Sequence, residues 1–235
     1  MASRPVFMPS DNTFTDVNMK TIEFEWVPGL SKVQKMKSVR NLHLAARLNG
    51  IDNILEISSK SDVELGIALS AFNLLYFLED TAVPVECIFQ CAKVFEQGGP
   101  FEDIKYFSPK EAKRDDRLKS SGNLIGFEFE GLSWELTPET AFYDWIYINA
   151  ISKQSDLLKK LKNYSAFTDI EFNPVRQKNC QARSVALLKT LMERGTLDNS
   201  LITQSAFLSN YNVLRERNAQ LDLFNISQSI DTLSS

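Results

Sequence analysis

The apolar residues of this 235-residue chain occur in short segments along its whole length, and each segment is bounded by a helix cap, a glycine or a proline. A serine followed three residues later by glutamine or glutamate is a capping box, and such boxes begin helices at Ser31 and Ser108. Alternation typical of strands occurs at residues 21–27 and 127–130. These short, bounded segments, which show no internal repeat, predict an α+β fold that is mostly α-helical with a few short strands.

Composition limits the class of protein further. Hydrophobic residues make up 43% and charged residues 24% of the chain, which is typical of a globular protein that needs no disulfide or metal. The net charge of −4 argues against broad, non-specific binding to nucleic acid. Because no run of 18 apolar residues or signal-peptide pattern occurs, we expect no membrane association. An odd count of 3 cysteines is typical of reduced thiols, so we expect a cytoplasmic protein.

We expect a single compact domain with two extensions. The N-terminal arm is predicted over residues 1–20, and residues 1–30 as a whole are expected to contain one short strand. The domain itself is predicted over residues 21–220. A polar C-terminal tail follows over residues 221–235.

The third predicted helix carries the most informative polar residues. It is expected to extend over residues 84–96. At helical spacing its polar side chains share one face: Glu86, Gln90, Lys93 and Gln97. Periodicity alone favours an ordinary face exposed to water. The alternative is the wall of a pocket, where a carboxylate could donate or accept a proton and a buried lysine could act as an amine nucleophile on a sugar.

Basic side chains outside this helix are candidates for binding phosphate. Lys113, Arg114 and Arg117 are predicted to form a basic face suited to pyrophosphate, or simply a solvated face. Asn179 and Arg183 lie at or before the start of a predicted helix, where they could bind a diphosphate.

Further candidates are acidic or aromatic. Asp144 could act as an acid, and Trp145 beside it could stack on a base or belong to the core. Asp169 and Glu171 lie in an irregular stretch, where catalytic carboxylates are often found.

The sequence offers no convincing metal site and no cofactor motif. The single histidine, His43, is expected in the core, and with Cys87 and Cys91 it makes too sparse a set for zinc. We therefore expect neither a metal nor a cofactor.

Several of these segments resemble one family in their order and spacing. Three of them, residues 70–73, 85–95 and 108–114, are similar to the successive motifs of the NADAR (YbiA-like) family. Residues 142–145 and 167–174 are closer to the NADAR antitoxins that accompany DarT-type toxins. The resemblance extends over residues 22–195 and implies a compact NADAR/YbiA-like domain.

The resemblance also implies an activity and a set of site residues. It implies an N-glycosidase-type hydrolase that removes ADP-ribose from a guanine base of DNA, with ADP-ribose as product and a DarT-type toxin as functional partner. Glu86 would be the general acid or base. Lys93 would stabilise negative charge or form a transient imine, with Asp144 as a further catalytic candidate. The substrate would be bound by the remaining candidates: Phe72, Asn73, Gln90, Lys113, Arg114, Trp145, Asp169, Asn179 and Arg183.

Two other functions stay open at this stage. One is an N-glycosidase that acts on a ribosyl-amine intermediate of riboflavin synthesis. The other is a non-catalytic module that binds ADP-ribose or the toxin. In addition, Phe172-Asn173-Pro174 stands where the family has a Trp-Gly pair, so the groups that would hold the phosphates stay open as well.

Overall fold

The computed structural model describes residues 1–10, 17–29, 31–175 and 177–208. Its strands are β1 (Ala2–Pro9), β2 (Val17–Phe24), β3 (Ile54–Glu56), β4 (Leu75–Phe77), β5 (Ala82–Pro84), β6 (Lys93–Phe95), β7 (Leu124–Phe129), β8 (Leu132–Trp134) and β9 (Ala166–Thr168). Its α-helices are α1 (Lys32–Leu48), α2 (Glu64–Ala68), α3 (Val85–Cys91), α4 (Pro109–Ala112), α5 (Arg117–Ser120), α6 (Ala141–Ser152), α7 (Ser155–Leu161), α8 (Gln181–Glu193) and α9 (Leu197–Leu201). A short 3₁₀ helix spans Glu102–Tyr106. The predicted α+β, mostly helical fold is confirmed, and the described residues form one compact domain.

The main sheet has the strand order β2-β1-β9-β3. Its β9–β3 pair, at one edge of the sheet, is parallel and brings Thr168 beside Glu56. Two smaller sheets lie elsewhere, with the orders β4-β5 and β6-β7-β8. The chain leaves β9 directly into an irregular segment that begins at Asp169, and this segment forms one wall of the site described below.

The N-terminal segment contains more structure than the single short strand predicted for residues 1–30. Strand β1 pairs with β2 along its whole length and contacts β9, so it belongs to the main sheet. Strand β1 was not predicted because its first half contains the polar residues Ser3 and Arg4 and then Pro5, which interrupt the hydrophobic alternation. Its residues Val6 and Phe7 are nevertheless buried. The predicted tail over residues 221–235 lies outside the described residues, and the domain boundaries stay a prediction.

Helix caps and turns were predicted well. The Ser31 side chain accepts a hydrogen bond from the backbone of Gln34, completing the capping box that begins α1. Ser108 does the same at α4. The predicted hairpin is formed by β7 and β8, and Gly131 has the positive φ of 73° that this tight turn requires.

The third helix is shorter than the predicted span of residues 84–96. Helix α3 ends at Cys91, and Lys93–Phe95 then forms strand β6, which pairs with β7. The aromatic and β-branched residues of this segment satisfy their backbone groups through strand pairing, which helical periodicity could not reveal. Gln97 follows the strand, so the predicted four-residue polar stripe does not exist as one helical face.

The core is built around α6, which is buried on all sides except at its last residue. Stacked rings of Phe127 and Phe142 lie 4.7 Å apart, and Trp134 packs against Phe142 at 5.5 Å. This aromatic layer packs against Phe89 of α3 and so helps to set which side chains of α3 face the site. Within the described residues, no helix is long and apolar enough to cross a membrane.

Candidate active site

A cavity of about 520 Å³ opens between α3, the segment after β9 and the start of α8. Different elements contribute to its walls, including the segment after β3 (Ser58), the turn after α2 (Phe72), and α6 (Tyr143). The predicted residues that line it are Phe72, Glu86, Gln90, Lys93, Lys113, Asp169, Glu171 and Asn179. Its volume lies within the range of small-molecule sites.

Glu86 lies in the first turn of α3 and is buried. Its backbone N–H donates a hydrogen bond to the carbonyl of Ala71, which ties α3 to the turn that carries Phe72. Nε2 of Gln90 donates to Oε1 of Glu86 at 2.9 Å, and Nζ of Lys113 lies 3.8 Å from the same oxygen. The carboxylate therefore faces the cavity with a cation nearby but without a close ion pair.

Lys93 remains on the same wall although it lies on β6 and not on α3. Its Nζ lies 4.8 Å from the centre of the Phe89 ring. Burial lowers the pKa of Lys93 to about 8, and the Lys113 cation acts in the same direction while the Glu86 charge opposes them. About a tenth of the Lys93 amine is thus neutral and nucleophilic at pH 7, far more than for a lysine in water.

Two buried amide oxygens in the cavity lack hydrogen-bond partners in the described structure: Oε1 of Gln90 and Oδ1 of Asn179. The orientation of Gln90 is fixed by chemistry, because a carboxylate only accepts hydrogen bonds and the amide nitrogen must face Glu86. Its oxygen is therefore turned away from Glu86. Two unsatisfied acceptors in one cavity fit a ligand that carries hydroxyl or N–H donors.

Asp169 forms the opposite wall and is buried. Its Oδ1 accepts from the backbone N–H of Glu171, and its Oδ2 accepts from Nε2 of Gln181, each at 3.0 Å. Burial raises the pKa of Asp169 to about 6. This wall therefore carries a carboxyl group whose proton is held more tightly than in water.

Gln181 is a positioning residue that the sequence interpretation did not select. Its Oε1 accepts from the backbone N–H of Ala71 at 2.7 Å while its Nε2 donates to Asp169. One amide thus joins the turn beside Phe72 to the opposite wall. The available signal was its position between Asn179 and Arg183, the two residues of this helix start that the sequence did predict.

Aromatic side chains form the remaining surface. Phe72 is 37% exposed, and Nζ of Lys113 lies 5.7 Å from its ring centre. Tyr143 and Phe89 line the cavity from α6 and α3, and their rings meet edge to face at 5.2 Å. Phe172 adds a second aromatic wall after β9. Tyr143 was not predicted as a site residue, because its position within an apolar helix is typical of the core.

Three predicted residues, Asp144, Trp145 and Arg183, lie away from the cavity lining, and the first two of them are buried. Asp144 is buried and pairs with Nη1 of Arg183 at 2.7 Å. The hydroxyl of Ser184 also donates to Asp144, at 2.5 Å. Trp145 packs between Trp134 and Phe207 in the core. Because α6 is buried on nearly every side, Asp144 and Trp145 face packed neighbours. For Trp145 this agrees with the core alternative, and the catalytic role of Asp144 stays a prediction that this placement does not favour.

The remaining predicted residues are also placed outside the cavity lining. Asn73 is exposed, and its Nδ2 donates to the carbonyl of Ile67, as in a turn. Arg114 lies beside a separate shallow pocket, and Arg117 forms ion pairs with Asp103 and Asp115. Lys113, Arg114 and Arg117 do not share one helix face. Lys113 and Arg114 follow the end of α4 at Ala112, and Arg117 begins the separate helix α5. Lys113 alone of the predicted trio reaches the cavity.

No group of three or more His, Cys, Asp or Glu in the described residues could hold a metal ion. The three cysteines are unpaired thiols, all buried. Nε2 of His43 lies 2.8 Å from Oγ1 of Thr168, and burial lowers the pKa of His43 to about 4. The site is therefore built from carboxyl, amide, amine and aromatic groups.

Comparison with known proteins yields one family. No curated protein matches the chain. A family model described as "DarT1-associated NADAR antitoxin" matches residues 2–221, which is almost the whole chain. The match includes every part of the cavity described above. The predicted resemblance is thereby confirmed, and the chain belongs to the family of NADAR antitoxins associated with DarT1.

Proposed function

We propose that this protein is an N-glycosidase that removes ADP-ribose from guanine bases of DNA and so reverses the modification made by a DarT-type toxin. One observation carries the proposal: a carboxylate, Glu86, and a lysine of lowered pKa, Lys93, share one wall of a buried cavity. This pair matches the needs of cleavage at an anomeric carbon, where a proton must move and a nucleophile must attack.

The reaction breaks the bond between C1 of the ribose and a nitrogen of the base. In one route, the C1–O4 bond of the ribose opens, so that O4 gains a proton while the lone pair of the base nitrogen forms a C1=N bond. The Nζ lone pair of Lys93 then adds to C1, and the electrons of the C1–N bond leave with the base, which takes up a proton as the amine releases one. Water then hydrolyses the resulting imine and regenerates the amine. In the other route, Glu86 takes a proton from a water that attacks C1 directly, while Lys93 as a cation stabilises negative charge. Both routes end with ADP-ribose and a base that has gained a proton.

The binding groups of the cavity suit the two ends of ADP-ribose. The unpartnered oxygens of Gln90 and Asn179 can accept hydrogen bonds from ribose hydroxyls. Lys60, Lys113 and Lys178 border the cavity and can pair with the diphosphate. Phe72 and Phe172 offer surfaces for stacking. Because the cavity is recessed, a modified guanine would have to lie in a single strand or leave the duplex to reach Glu86.

Release of ADP-ribose from a defined oligonucleotide tests the proposal. A single-stranded oligonucleotide with one ADP-ribosylated guanine is incubated with the protein, and free ADP-ribose and unmodified oligonucleotide are quantified. Release by the wild type and its loss in Glu86→Gln support the proposal. If the wild type instead cleaves only a free ribosyl-aminopyrimidine, the substrate is a small metabolite. Binding of ADP-ribose without any cleavage contradicts enzymatic activity and leaves a binding module.

The identity of the covalent step is tested separately. Borohydride added during turnover reduces an imine to a stable amine, so mass spectrometry would find ADP-ribose attached at Lys93. The matched control is Lys93→Arg, which cannot form the imine. Absence of any adduct in the active wild type favours direct attack by water.

A further inference from the structure

Behind the cavity, β3 carries a buried carboxyl group, Glu56, that the proposed reaction does not use. Glu56 is 1% exposed. Its Oε1 lies 2.6 Å from the hydroxyl of Ser58 and accepts from the backbone N–H of Ile170 at 2.8 Å. Its Oε2 lies 2.7 Å from the hydroxyl of Thr168. Every contact made by this carboxyl group is therefore with a neutral partner.

A second buried carboxyl group, Asp169, lies next in sequence to Thr168 and faces the cavity. Among the ion pairs of the described residues, none involves Glu56 or Asp169. Burial, and secondly the charge of Asp169, raise the pKa of Glu56 to about 8. Two buried carboxyl groups without a cation retain a proton between them at neutral pH, and the more deeply buried Glu56 is where we place it.

Ser58 connects Glu56 to the cavity. Its hydroxyl lies 2.6 Å from Oε1 of Glu56, accepts from the backbone N–H of Lys60 at 3.1 Å, and belongs to a residue of the cavity lining. When Glu56 is protonated, it donates to Ser58, whose two acceptor positions are then filled by Glu56 and Lys60. The hydrogen of the Ser58 hydroxyl is consequently no longer held by Glu56 and is free to be donated elsewhere.

We propose that Glu56 and Ser58 form a proton relay that ends in the cavity and protonates the departing base. The relay rests on the proposed function. Glu56 transfers its proton to Oγ of Ser58, and Ser58 passes its own proton to the base nitrogen as the C1–N bond breaks. Glu56 is left as a carboxylate and regains a proton from water by the reverse path after the product leaves. Glu86 and Lys93 act at C1 of the ribose, whereas the relay supplies a proton to the leaving base.

The other titratable groups around Glu56 do not replace it. Across Thr168, His43 stays neutral because burial lowers its pKa to about 4. Lys35 and Glu171 form an ion pair at 3.3 Å beyond Asp169. On the far side of Asp169 are three buried groups whose pKa values are raised by burial: Tyr143, Tyr147 and Cys180. Asp62 acts on His43 from the segment before α2.

The pH dependence of ADP-ribose release tests the relay. The wild type should lose activity above about pH 8, where Glu56 ionises. Glu56→Gln mimics the neutral carboxyl group in shape but cannot give up a proton. We expect a rate at pH 7 that is lower by on the order of 10²-fold, with no decline above pH 8 due to this group. Thermal unfolding checks that the variant is folded.

Ser58→Ala breaks the relay while it leaves Glu56 in place, so it should cause the same loss as Glu56→Gln. The double variant should be no slower than either single variant, because both changes interrupt one path. Ser58→Thr should restore activity and the decline above pH 8. Ser59→Ala is the matched control, because the Ser59 hydroxyl makes no hydrogen bond to Glu56 in the described structure. This variant should keep the loss of activity above pH 8, whether or not its rate at pH 7 changes.

Two outcomes would overturn the relay. One is that both single variants keep the alkaline decline of the wild type. The other is that the carboxylic-acid infrared band at pH 7 is the same in the wild type and in Glu56→Gln, which requires no activity. Lack of release by the wild type contradicts the proposed function, whereas release with unchanged pH profiles contradicts the relay alone.

Discussion

Glu86 and Asp144 are two buried carboxylates on helices, each near a cation, yet they are held in different ways. Asp144 pairs with Arg183 at 2.7 Å and also accepts from Ser184 and Thr140. Glu86 has its nearest cation at 3.8 Å and accepts from one amide, and it borders a cavity. A fully satisfied carboxylate stabilises the fold, whereas one with open coordination beside empty space can react. From this difference we expect Glu86 to take part in the proposed chemistry and Asp144 to contribute to stability.

The largest expected effect comes from neutralising Glu86. Glu86→Gln keeps the size of the side chain but removes its charge, so the carboxylate can no longer accept a proton. We expect the rate of ADP-ribose release to fall on the order of 10²–10⁴-fold. The measurement is single-turnover release from a modified oligonucleotide, with the melting temperature as the control for folding. Turnover equal to that of the wild type would remove Glu86 from the mechanism.

Asp144→Asn should give the opposite pattern. Asp144→Asn removes the charge that pairs with the guanidinium of Arg183 at 2.7 Å, which costs on the order of 3 kcal/mol of unfolding free energy. For a chain of this size, the melting temperature should drop by roughly 6–12 °C. The rate per folded molecule should stay near that of the wild type. A large loss of rate at unchanged stability would place Asp144 in the reaction after all.

The sequence could not separate these two carboxylates. Helical periodicity places Glu86 and Gln90 on one face, and the structure keeps them together. It also placed Lys93 on that face for a wrong reason, because β6 and not α3 carries this residue to the same wall. Helix starts were predictable since capping depends on neighbours within three residues, as at Ser31 and Ser108.

The pairing of the buried polar side chains could not be predicted, because it depends on contacts between residues that are distant in sequence. The Asp144–Arg183 pair joins α6 to α8, and the Glu56–Thr168 bond joins β3 to β9. Neither partner reveals the other through local spacing. The same holds for Gln181, which matters only because the turn at Ala71 comes within hydrogen-bond distance.

Two basic residues, Lys93 on the cavity wall beside Glu86 and Arg183 beside Asp144, give the next contrast. Lys93 has its pKa lowered to about 8 by burial, so its neutral fraction rises with pH. If the neutral amine is the nucleophile, release should increase by about tenfold per pH unit below roughly pH 7. Lys93→Arg, which stays charged, should lose this rise, whereas Arg183→Lys should keep it and lower stability instead. A wild-type rate that is independent of pH over this range would contradict the neutral-amine role.

The smallest expected effects come from the neutral partners of the two carboxylates. Gln90→Leu removes the unpartnered acceptor and the bond to Glu86, which should raise KM about tenfold if the oxygen binds a ribose hydroxyl. Ser184→Ala removes a donor to Asp144 and should cost about 1–2 kcal/mol of stability without changing KM. Steady-state kinetics and thermal unfolding of both variants measure these effects. If Gln90→Leu changes only stability, the two environments are alike at their neutral partners, and the open coordination of Glu86 has no role in binding.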